Sequence, residues 1–392
     1  MSRANALLPG SLVDGRPVTL GVLGGGQLGR MFVQAAQAMG YHTAVLDPDP
    51  ASPAGLISHV HVKTDYLSEA GLAQMLQCCH AITTEFENVP AQALATLGAQ
   101  RRIAPDAAAV AIAQDRRREK AHFARCGVQV APYAVIESEV DCARVAPELL
   151  PGILKTAQLG YDGKGQRRVG DAEALRAAWL ELGSVPCVLE QQLALADELS
   201  VIVARGADGA CVHLPVQRNT HRDGILAVTQ VFEGNCPAAL AAQAVAATES
   251  IAHGLQYVGV LCVEFFVLTD GRLLANEMAP RPHNSGHASI DCCDVSQFEL
   301  QARCMAGLPL TPPRQHSAAI MLNLLGDLWS GELPPDWSTL LALPGVHLHL
   351  YGKLSARAGR KMGHLTVTAA TSQQALELAR QAAQLLGLPP PP

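Results

Sequence analysis

Apolar runs near the start of the chain are spaced like the strands and helices of an open α/β domain. Val18–Leu23 is short and apolar, which is typical of a buried strand, and Arg30–Met39 carries apolar residues at helical spacing. Thr43–Leu46 and Ala81–Thr84 are two further strand-like runs. Strands that alternate with helices favour a parallel sheet with helices on its faces. We therefore predict a Rossmann-like domain in this part of the chain.

A second apolar pattern predicts a β-hairpin that carries two carboxylates. Val260–Leu268 and Leu273–Glu277 are apolar and β-prone, and Thr269–Gly271 between them has turn chemistry. Such a hairpin places Glu264 and Glu277 side by side, and two hard oxygen ligands at that spacing suit Mg²⁺ together with substrate phosphates. The alternative is a surface hairpin with both acids in water. That alternative is weaker for Glu264, because a carboxylate inside an apolar run needs a partner.

The loop that follows this hairpin is rich in hydrogen-bond donors. It contains Arg281, His283, Asn284, Ser285 and His287 within a proline-containing stretch. Donors at this density suit a small anion next to a metal ion. We expect the loop to border the reacting groups.

A glycine-rich turn follows the first predicted strand. Gly24–Gly29 reads G-G-G-Q-L-G and matches the pattern G-x-G-x-x-G. Glycine amides at the start of a helix form an anion site, most often for phosphate. Asp47 ends the next strand, near the position where a dinucleotide fold has its ribose-binding acid. The motif alone is weak evidence for NAD, and a tight packing turn is a further alternative.

Two acids follow the strand at Ala81–Thr84. They are Glu85 and Glu87, within the segment T-E-F-E-N-V-P. Ligands of open α/β sheets bind beyond the carboxyl ends of the strands, so these acids should border the same crevice as the glycine turn. We expect them to accept hydrogen bonds from an amine or a ribose.

A glycine loop flanked by lysines forms another candidate site. Lys155 follows an apolar strand start, where a buried lysine needs a negative partner. Gly160, Gly163 and Gly165 come next, with Lys164 among them. Such a loop is what a lid over a triphosphate requires, because it must approach the phosphates closely and then release the product. Its spacing differs from that of a P-loop.

Two polar stretches are expected to be solvated. Ala107–Arg125 has helical spacing and is dense in charge around Gln114–Lys120, which predicts a solvated helix face. Arg218–Gly224 is polar throughout and is expected to form a loop.

Composition narrows the class of protein. The chain has 392 residues, 16% charged and 49% hydrophobic, which is typical of a compact enzyme of two or three domains. A net charge of −6 without a basic run argues against nucleic-acid binding, and no apolar stretch reaches the ~18 residues of a membrane span. The eleven cysteines are odd in number and lack C-x-x-C, which argues against a disulfide framework and a zinc site. Reduced thiols in the cytoplasm are expected instead.

Taken together, these motifs resemble the ATP-grasp enzymes and are most similar to the 5-(carboxyamino)imidazole ribonucleotide synthase family. The resemblance extends from about Val18 to about Leu365. It is carried by G-G-G-Q-L-G-R-M, E-F-E-N-V-P, Q-D-R, G-Y-D-G-K-G-Q, D-E-L-S-V, N-E-M-A-P-R-P-H-N-S-G-H and A-G-R-K-M-G-H-L, in this order. The formate-using glycinamide ribonucleotide enzyme is close enough to remain an alternative.

The resemblance implies a ligase of purine biosynthesis that uses ATP, Mg²⁺ and bicarbonate. Such an enzyme carboxylates the exocyclic amine of 5-aminoimidazole ribonucleotide through carboxyphosphate. The family is expected to be a cytoplasmic homodimer that binds small molecules, with no nucleic acid and no membrane. An NAD-dependent oxidoreductase and a non-catalytic nucleotide-binding regulator are the remaining alternatives.

The implied fold class is α/β and α+β, in three parts. An N-terminal extension at 1–17 precedes a Rossmann-like pre-ATP-grasp domain at 18–112. A two-lobed ATP-grasp core follows at 113–312, with a lid subdomain at about 121–190. A small C-terminal domain at 313–392 returns Lys353–His364 to the substrate.

Family roles for ATP carry over residue by residue. The implied ATP-binding residues are Arg116, Lys155, Gly160, Tyr161, Asp162, Gly163, Lys164, Gly165, Gln166, Glu190, Gln191, Gln192, Leu193, Glu198, His221, Asn276 and Glu277. Among them, Arg116 and Lys155 would bind the phosphates under a lid at Gly160–Gln166. Glu190–Leu193 would line the adenine, and Glu198 would hold the ribose.

Family roles for the second substrate involve both ends of the chain. The implied substrate-binding residues are Gly26, Gln27, Leu28, Glu85, Glu87, Lys353, Arg360 and Lys361. The implied catalytic residues are Tyr161, Arg281, Asn284 and Lys353, and the metal ligands are Glu264 and Glu277. Charge balance supports a C-terminal contribution, because a net-negative protein must bring cations to a ribose 5′-phosphate from somewhere.

Overall fold

The computed structural model describes residues 6–160, 165–331 and 335–392. The expected lid residues Tyr161, Asp162, Gly163 and Lys164 lie outside the described residues. Within the described ranges, every helix is too short or too polar to span a bilayer. All eleven cysteines have free thiols.

The N-terminal domain is a five-stranded parallel sheet that carries helices. A short ladder of β1 (Leu12–Val13) and β2 (Arg16–Pro17) precedes it. The strands and helices are β3 (Thr19–Leu23), α1 (Gln27–Ala38), β4 (His42–Leu46), β5 (Val60–Val62), α2 (Glu69–Cys78), β6 (Ala81–Thr84), α3 (Ala91–Gly98) and β7 (Arg102–Ile103). The order β5-β4-β3-β6-β7 sets β3 beside β6 at the reversal of strand order, where such sheets bind ligands. The prediction of a Rossmann-like domain is confirmed.

The charged segment between this domain and the core forms two helices, α4 (Ala107–Ala113) and α5 (Arg116–Arg125). Asp115 separates them, because its carboxylate accepts the backbone N–H of Arg117 and caps α5. The expectation of a solvated face is wrong here. Glu119 and Lys120 are 2% and 1% exposed, because each meets a partner from another part of the core.

The first lobe of the core is a four-stranded antiparallel sheet with two helices. It consists of β8 (Tyr133–Ile136), α6 (Glu139–Ala143), β9 (Gly152–Thr156), β10 (Gln166–Val169), α7 (Ala172–Glu181) and β11 (Cys187–Gln191). The strand order is β10-β9-β11-β8. Leu154, Leu175, Trp179 and Leu189 pack in its core, which lies apart from the other cores of the described chain.

One large sheet forms the second lobe and continues into the C-terminal domain. Its strands are β12 (Leu195–Arg205), β13 (Cys211–His213), β14 (Gln217–Arg222), β15 (Ile225–Val231), β16 (Gly259–Leu268), β17 (Leu273–Ala279), β18 (Ala318–Leu325), β19 (Val346–Leu350) and β20 (Lys361–Ala369). The helices around it are α8 (Ala238–Gly254), α9 (Ser289–Cys292), α10 (Gln297–Ala306), α11 (Trp337–Leu341) and α12 (Ser372–Leu385). The strand order is β17-β16-β12-β14-β15-β18-β20-β19, with β13 on β12.

The polar stretch Arg218–Gly224 is not a loop, contrary to the sequence-based expectation. Most of it lies on β14, which pairs antiparallel with β15 through a turn at Asp223 and Gly224. Its polar side chains satisfy one another inside the sheet: Asn219 donates to Ser200 and accepts from Thr229. A strand with internal hydrogen-bond partners therefore needs no apolar alternation.

One hydrophobic cluster ties the three parts of the chain together. Phe32 on α1, Phe298 and Met305 on α10, and Tyr351 near β19 belong to the same buried core. Gln301 on α10 adds hydrogen bonds to the Thr83 hydroxyl and to the Ala104 carbonyl, both at 2.9 Å. The ends of β3 and β6, the β16–β17 hairpin and the start of β20 are consequently held around one cavity.

Candidate active site

A cavity of about 530 Å³ lies where the N-terminal sheet, the core and the C-terminal domain meet. Many of the residues predicted from sequence line it, and they come from distant parts of the chain. These are Gln27, Leu28, Glu85, Glu87, Arg116, Gly160, Glu264, Glu277, Arg281, Asn284 and Lys361. The fold therefore brings the expected phosphate, metal and ribonucleotide residues into one space.

The two hairpin acids lie directly opposite each other, as the sequence predicts. Glu264 on β16 pairs in register with Glu277 on β17, and a bulge follows immediately. Arg116 Nη1 lies 2.9 Å from Glu277 Oε2, and His283 Nε2 lies 3.4 Å from Glu264 Oε1. Burial and then the charge of Glu277 raise the pKa of Glu264 to about 7. Burial would also raise the pKa of Glu277, but the charges of Arg116 and Lys155 bring it below the usual value.

Arg116 and Lys155 outweigh burial at Glu277, whereas burial and the charge of Glu277 outweigh the nearby positive groups at Glu264. A neighbouring amide oxygen, Asn276 Oδ1, is buried and has no hydrogen-bond partner among the described residues. Two facing carboxylates and one orphan oxygen form a hard, oxygen-only donor set, which suits Mg²⁺. The residues present therefore fit the ion that the sequence analysis predicts.

A buried ion triplet lies in the first lobe. Glu190 on β11 lies 2.8 Å from Lys120 Nζ on α5 and 2.8 Å from Lys155 Nζ on β9. Burial opposes ionisation of Glu190, but Lys155 and Lys120 overcome it and lower its pKa to about 2. The expectation that Lys155 needs a negative partner is confirmed. The triplet has a net positive charge, which suits polyphosphate.

The glycine turn at the end of β3 is not a bare anion site. Gly26 and Gly29 donate their backbone N–H groups to the Glu85 carboxylate, and Gly25 donates to Asp47. A Cβ on Gly26 would lie 2.4 Å from Glu85 Oε1, so glycine is required for this close approach. The expectation of a phosphate on these amides is wrong, because carboxylates of the chain already occupy them. Burial raises the pKa of Glu85 despite the two N–H groups.

The loop after the hairpin is held by paired side chains. Arg281 is partly buried and lies 2.6 Å from Glu87 Oε2. Burial would raise the pKa of Glu87, but the charge of Arg281 lowers it overall. Asn284 and Asn323 on β18 exchange side-chain amide hydrogen bonds of 3.0 and 2.7 Å. These contacts fix one guanidinium and one amide at the wall of the cavity. The loop is therefore a rigid wall with polar groups.

The remaining predicted nucleotide residues lie around the junction of the two lobes. Gln166 begins β10, Gln191 ends β11, and Gln192 and Leu193 lead into β12. Gly165 has a left-handed backbone (φ 72°) and accepts the Thr156 N–H through its carbonyl. On β12 and β14, Glu198 Oε2 lies 2.6 Å from His221 Nδ1. Burial lowers the pKa of His221, but Glu198 and Glu264 raise it overall.

The three predicted C-terminal cations occupy different positions. Lys361 at the start of β20 lines the cavity. Lys353 donates to the Lys361 carbonyl at 2.7 Å, and its charge offsets part of the burial that raises the pKa of Glu85. Arg360 does not line the cavity, and its guanidinium donates to the carbonyl and hydroxyl of Ser355. The structure thus separates Lys361 from Arg360 although they are neighbours in sequence.

Sequence reasoning missed three polar residues of this region. Glu119 lines the cavity and accepts the Met278 N–H at 2.6 Å, and Lys120 completes the ion triplet with Glu190. Asn323 holds Asn284. Their partners Met278, Glu190 and Asn284 are distant in sequence, so no local pattern marked these residues.

Family models match nearly the whole described chain. Residues 18–114 match the ribonucleotide synthetase preATP-grasp domain, and residues 121–298 match the ATP-grasp domain. Residues 319–378 match the phosphoribosylaminoimidazole carboxylase C-terminal domain. The expected three-part architecture is confirmed, whereas its residue bounds stay a prediction.

Individual relatives agree with these models. The N5-carboxyaminoimidazole ribonucleotide synthase of Brucella melitensis is 42% identical over 368 residues, covering 92% of this chain and 97% of that protein. The ADP complex of the Staphylococcus aureus N5-carboxyaminoimidazole synthetase superimposes with a TM-score of 0.88 at 35% identity, covering 97% and 98% of the two chains. The Aspergillus clavatus synthase, solved with ADP and 5-aminoimidazole ribonucleotide, has a TM-score of 0.86 at 30% identity, covering 95% and 99%. The chain belongs to the N5-carboxyaminoimidazole ribonucleotide synthase family of ATP-grasp enzymes.

Proposed function

We propose that this chain carboxylates the exocyclic amine of 5-aminoimidazole ribonucleotide with ATP and bicarbonate, giving N5-carboxyaminoimidazole ribonucleotide, ADP and phosphate. The observation that carries the proposal is the single cavity of about 530 Å³ that joins the hairpin acids to the start of α1 and to Lys361. A phosphoryl donor at one end and an acceptor amine at the other can meet in this space. The substrates are those of the A. clavatus relative, which was solved with ADP and 5-aminoimidazole ribonucleotide.

The triphosphate is bound by Arg116 and by Lys155 from the Glu190 triplet. Glu190 fixes the Lys155 ammonium from one side, so that its remaining N–H groups can reach phosphate oxygens. Gln191–Leu193 line the adenine, and Glu198 with His221 holds the ribose. The segment Gly160–Gln166, including Tyr161, Asp162, Gly163 and Lys164, covers the phosphates.

Mg²⁺ is held by Glu264 and Glu277, with the Asn276 amide oxygen beside them. When bound, the ion neutralises negative charge on the transferred phosphoryl group. Two observations support the assignment: the acids face each other in register, and the pKa of Glu264 is raised to about 7 in the protein alone. The charge of a divalent ion would favour ionisation of Glu264, beside Glu277 whose pKa already lies below the usual value.

The ribonucleotide occupies the opposite end of the cavity. Lys361 supplies a full charge for the 5′-phosphate, with the first residues of α1, Gln27 and Leu28, at the positive end of the helix dipole. Glu85 and Gly26 form the scaffold under this end, and Glu87 lies beside it. The Lys353 ammonium donates to the Lys361 carbonyl and so holds the Lys361 backbone in place. Arg360 contributes positive charge from outside the cavity.

The chemistry follows from the poor electrophilicity of bicarbonate. A bicarbonate oxygen attacks the γ-phosphorus, the bond to the β-phosphate oxygen breaks, and ADP leaves with carboxyphosphate formed. The amine then attacks the carboxyphosphate carbon, phosphate departs, and the nitrogen loses one proton. Arg281 and Asn284 orient the bicarbonate, and Tyr161 or the departing phosphate accepts the proton.

Fixed positive charge provides most of the acceleration in this scheme. Arg116 lies at the hairpin acids and Lys155 at the triplet, so both act where charge develops on the transferred group. Carboxyphosphate is short-lived in water, so the cavity has to close before it forms. Closure is the role assigned to Gly160–Gln166.

We also propose a cytoplasmic homodimer with domains at 18–112, 113–312 and 313–392, preceded by an extension at 1–17. The eleven free thiols support a reducing compartment. Light scattering of the purified chain tests the dimer, which requires twice the chain mass of 41.3 kDa.

The test of the reaction is an ADP-release assay with ATP, Mg²⁺, bicarbonate and 5-aminoimidazole ribonucleotide, each omitted in turn. The expected result is full turnover only with all components, and ¹³C from labelled bicarbonate in the product carbamate. Glycinamide ribonucleotide with formate serves as the matched control pair. Faster ADP release with that pair would replace the proposal with the formate-dependent alternative.

A further inference from the structure

A cluster of histidines lies outside the cavity, between the C-terminal sheet and α9. Asp291 on α9 faces His349 on β19, with Nε2 at 2.9 Å from Asp291 Oδ2. His347, two residues earlier on the same face of β19, has Nδ1 at 3.7 Å from Asp291 Oδ1. His364 on β20 lies opposite His349 in register, and their rings stack at 4.5 Å. The proposed reaction uses none of these side chains.

The cluster has the composition and spacing of a transition-metal site. One donor atom each from Asp291, His349 and His364 lies within 4.8 Å of the others. A tetrahedral zinc ion with bonds of about 2.0–2.1 Å holds its ligand atoms roughly 3.4 Å apart. His347 lies beside this group, with Nδ1 3.7 Å from Asp291 Oδ1 and Nε2 3.0 Å from the Thr368 hydroxyl.

A second observation points independently to a ligand. His364 is fully buried, and its Nε2 has no hydrogen-bond partner among the described residues. The other ring nitrogen, Nδ1, is 3.0 Å from the Tyr351 hydroxyl, which fixes the ring as a neighbouring group does for metal-bound histidines.

We propose that Asp291, His349 and His364, completed by His347, bind a divalent transition-metal ion, with Zn²⁺ as the best fit. Imidazole nitrogen suits zinc, nickel and copper, whereas Mg²⁺ prefers oxygen ligands only. The site is therefore chemically distinct from the hairpin acids. Its access route is open, because the side chains of His347 and His349 are 41% and 28% exposed.

The position of the site gives the ion a structural role. Asp291 lies four residues after His287 and seven after Asn284 in the cavity wall, and the His287 ring packs 4.8 Å from that of His364. On β20, His364 lies three residues from Lys361. A bound ion ties the C-terminal sheet to the segment that follows the cavity loop, and it stabilises that junction.

The experiment uses the full chain, stripped with a chelator and titrated with Co²⁺ and Zn²⁺. Wild-type protein is expected to bind one Co²⁺ with a visible spectrum of nitrogen and oxygen ligands, and its Tm should rise with Zn²⁺ concentration. Loss of an outer partner of a ligand weakens metal binding by about 10–100-fold, so His349→Ala and Asp291→Asn should each weaken it at least that much. His253→Ala, an exposed histidine on α8, is the matched control and should bind like wild type.

Three outcomes overturn the proposal. They are the absence of stoichiometric binding, equal binding by wild type and both ligand variants, and a strong sulfur-to-cobalt band that would place the ion on cysteines. His349 is part-exposed, so its alanine variant is expected to fold, and circular dichroism of the metal-free variants checks this. Mg²⁺ at millimolar concentration should not displace the cobalt signal.

Discussion

Two sets of partly buried carboxylates border the same cavity, and they differ in the partners that the fold gives them. Glu85 accepts two backbone N–H groups from the glycine turn, so its oxygens are already occupied. Glu264 and Glu277 face each other, with Arg116 as the nearest full charge and an orphan amide oxygen alongside. A carboxylate saturated by backbone donors belongs to the scaffold, whereas a facing pair with too few donors retains capacity for a ligand. Burial alone does not distinguish these two functions.

The largest expected effect is on the facing pair. Glu277→Gln keeps the shape and removes one charge, so kcat should fall about a thousandfold, as for the loss of a group that stabilises transition-state charge. Turnover at saturating substrates measures this. The control is Asp270→Asn in the exposed turn of the same hairpin, which should leave kcat unchanged. Normal turnover of the Glu277 variant at low Mg²⁺ would remove this residue from the metal site.

Glu190 extends the comparison to a carboxylate that two lysines neutralise. Its pKa of about 2 lies below the usual value of 4.5, so its stabilising effect is complete above pH 4.5 and is lost as pH falls towards 2. A shift of this size corresponds to about 3 kcal/mol of folding stability. Glu190→Gln should lose at least that much at pH 7, because two buried ammonium groups lose their partner.

Denaturant unfolding of wild type and Glu190→Gln at pH 7, 4 and 3 tests this expectation. The gap between the two free energies of unfolding should narrow as pH falls below about 4, because the Glu190 carboxyl of the unfolded wild-type chain then takes up a proton while that of the folded chain stays ionised. Arg167→Gln, whose ion pair with Glu181 is exposed, is the control and should change stability little. If the difference in free energy of unfolding stays constant with pH, the charge of Glu190 is not the cause of the destabilisation.

Glu85→Ala tests the scaffold side of the comparison. The substitution leaves the N–H groups of Gly26 and Gly29 without their acceptor, which should cost about 2 kcal/mol of folding stability. The KM for ATP should change by no more than about twofold, since this residue lies at the other end of the cavity. Unfolding curves and ATP titrations measure the two quantities, with exposed Glu148→Ala as the control. A large rise in the KM for ATP at unchanged stability would mean that Glu85 serves ligand binding and is not part of the scaffold.

The smallest expected effect separates the neighbouring cations. Lys361→Ala should raise the KM for 5-aminoimidazole ribonucleotide about tenfold, the effect of losing a charged hydrogen bond. Arg360→Ala should raise it only about threefold or less, because its guanidinium is engaged with Ser355. Initial-rate kinetics with each substrate varied provide the comparison. A rise in the KM for ATP instead would assign the C-terminal domain to the nucleotide.

Local sequence patterns predicted the elements well where neighbours decide the structure. The hairpin strands extend from Gly259 to Leu268 and from Leu273 to Ala279, within two residues of the expected bounds, because alternation and turn chemistry are local. The parallel strands near the N-terminus were predicted for the same reason. The facing arrangement of Glu264 and Glu277 was predicted because both acids lie on the strands of this hairpin.

Sequence patterns failed to predict the environment of a residue where it depends on a partner that is distant in sequence. Glu119 is buried because it accepts the N–H of Met278, 159 positions away, and nothing around Glu119 encodes that partner. The glycine turn was misjudged for a similar reason, since the carboxylate on Gly26 comes from 59 positions later. The histidine cluster was not predicted, because its members are separated by up to 73 positions, although the H-x-H spacing at 347–349 is present in the sequence.

The unbroken large sheet has a consequence for how the chain can be cut. β15 pairs on one side with β14 and on the other with β18, so the C-terminal domain covers what would otherwise be the rim of the core sheet. A fragment that stops before Ala318 exposes a seven-residue strand whose peptide groups have lost their neighbours on that side. An exposed edge strand of this kind can pair with strands of other molecules. The small domain that delivers Lys361 also protects the core from self-association, and separately expressed halves of this protein should precipitate.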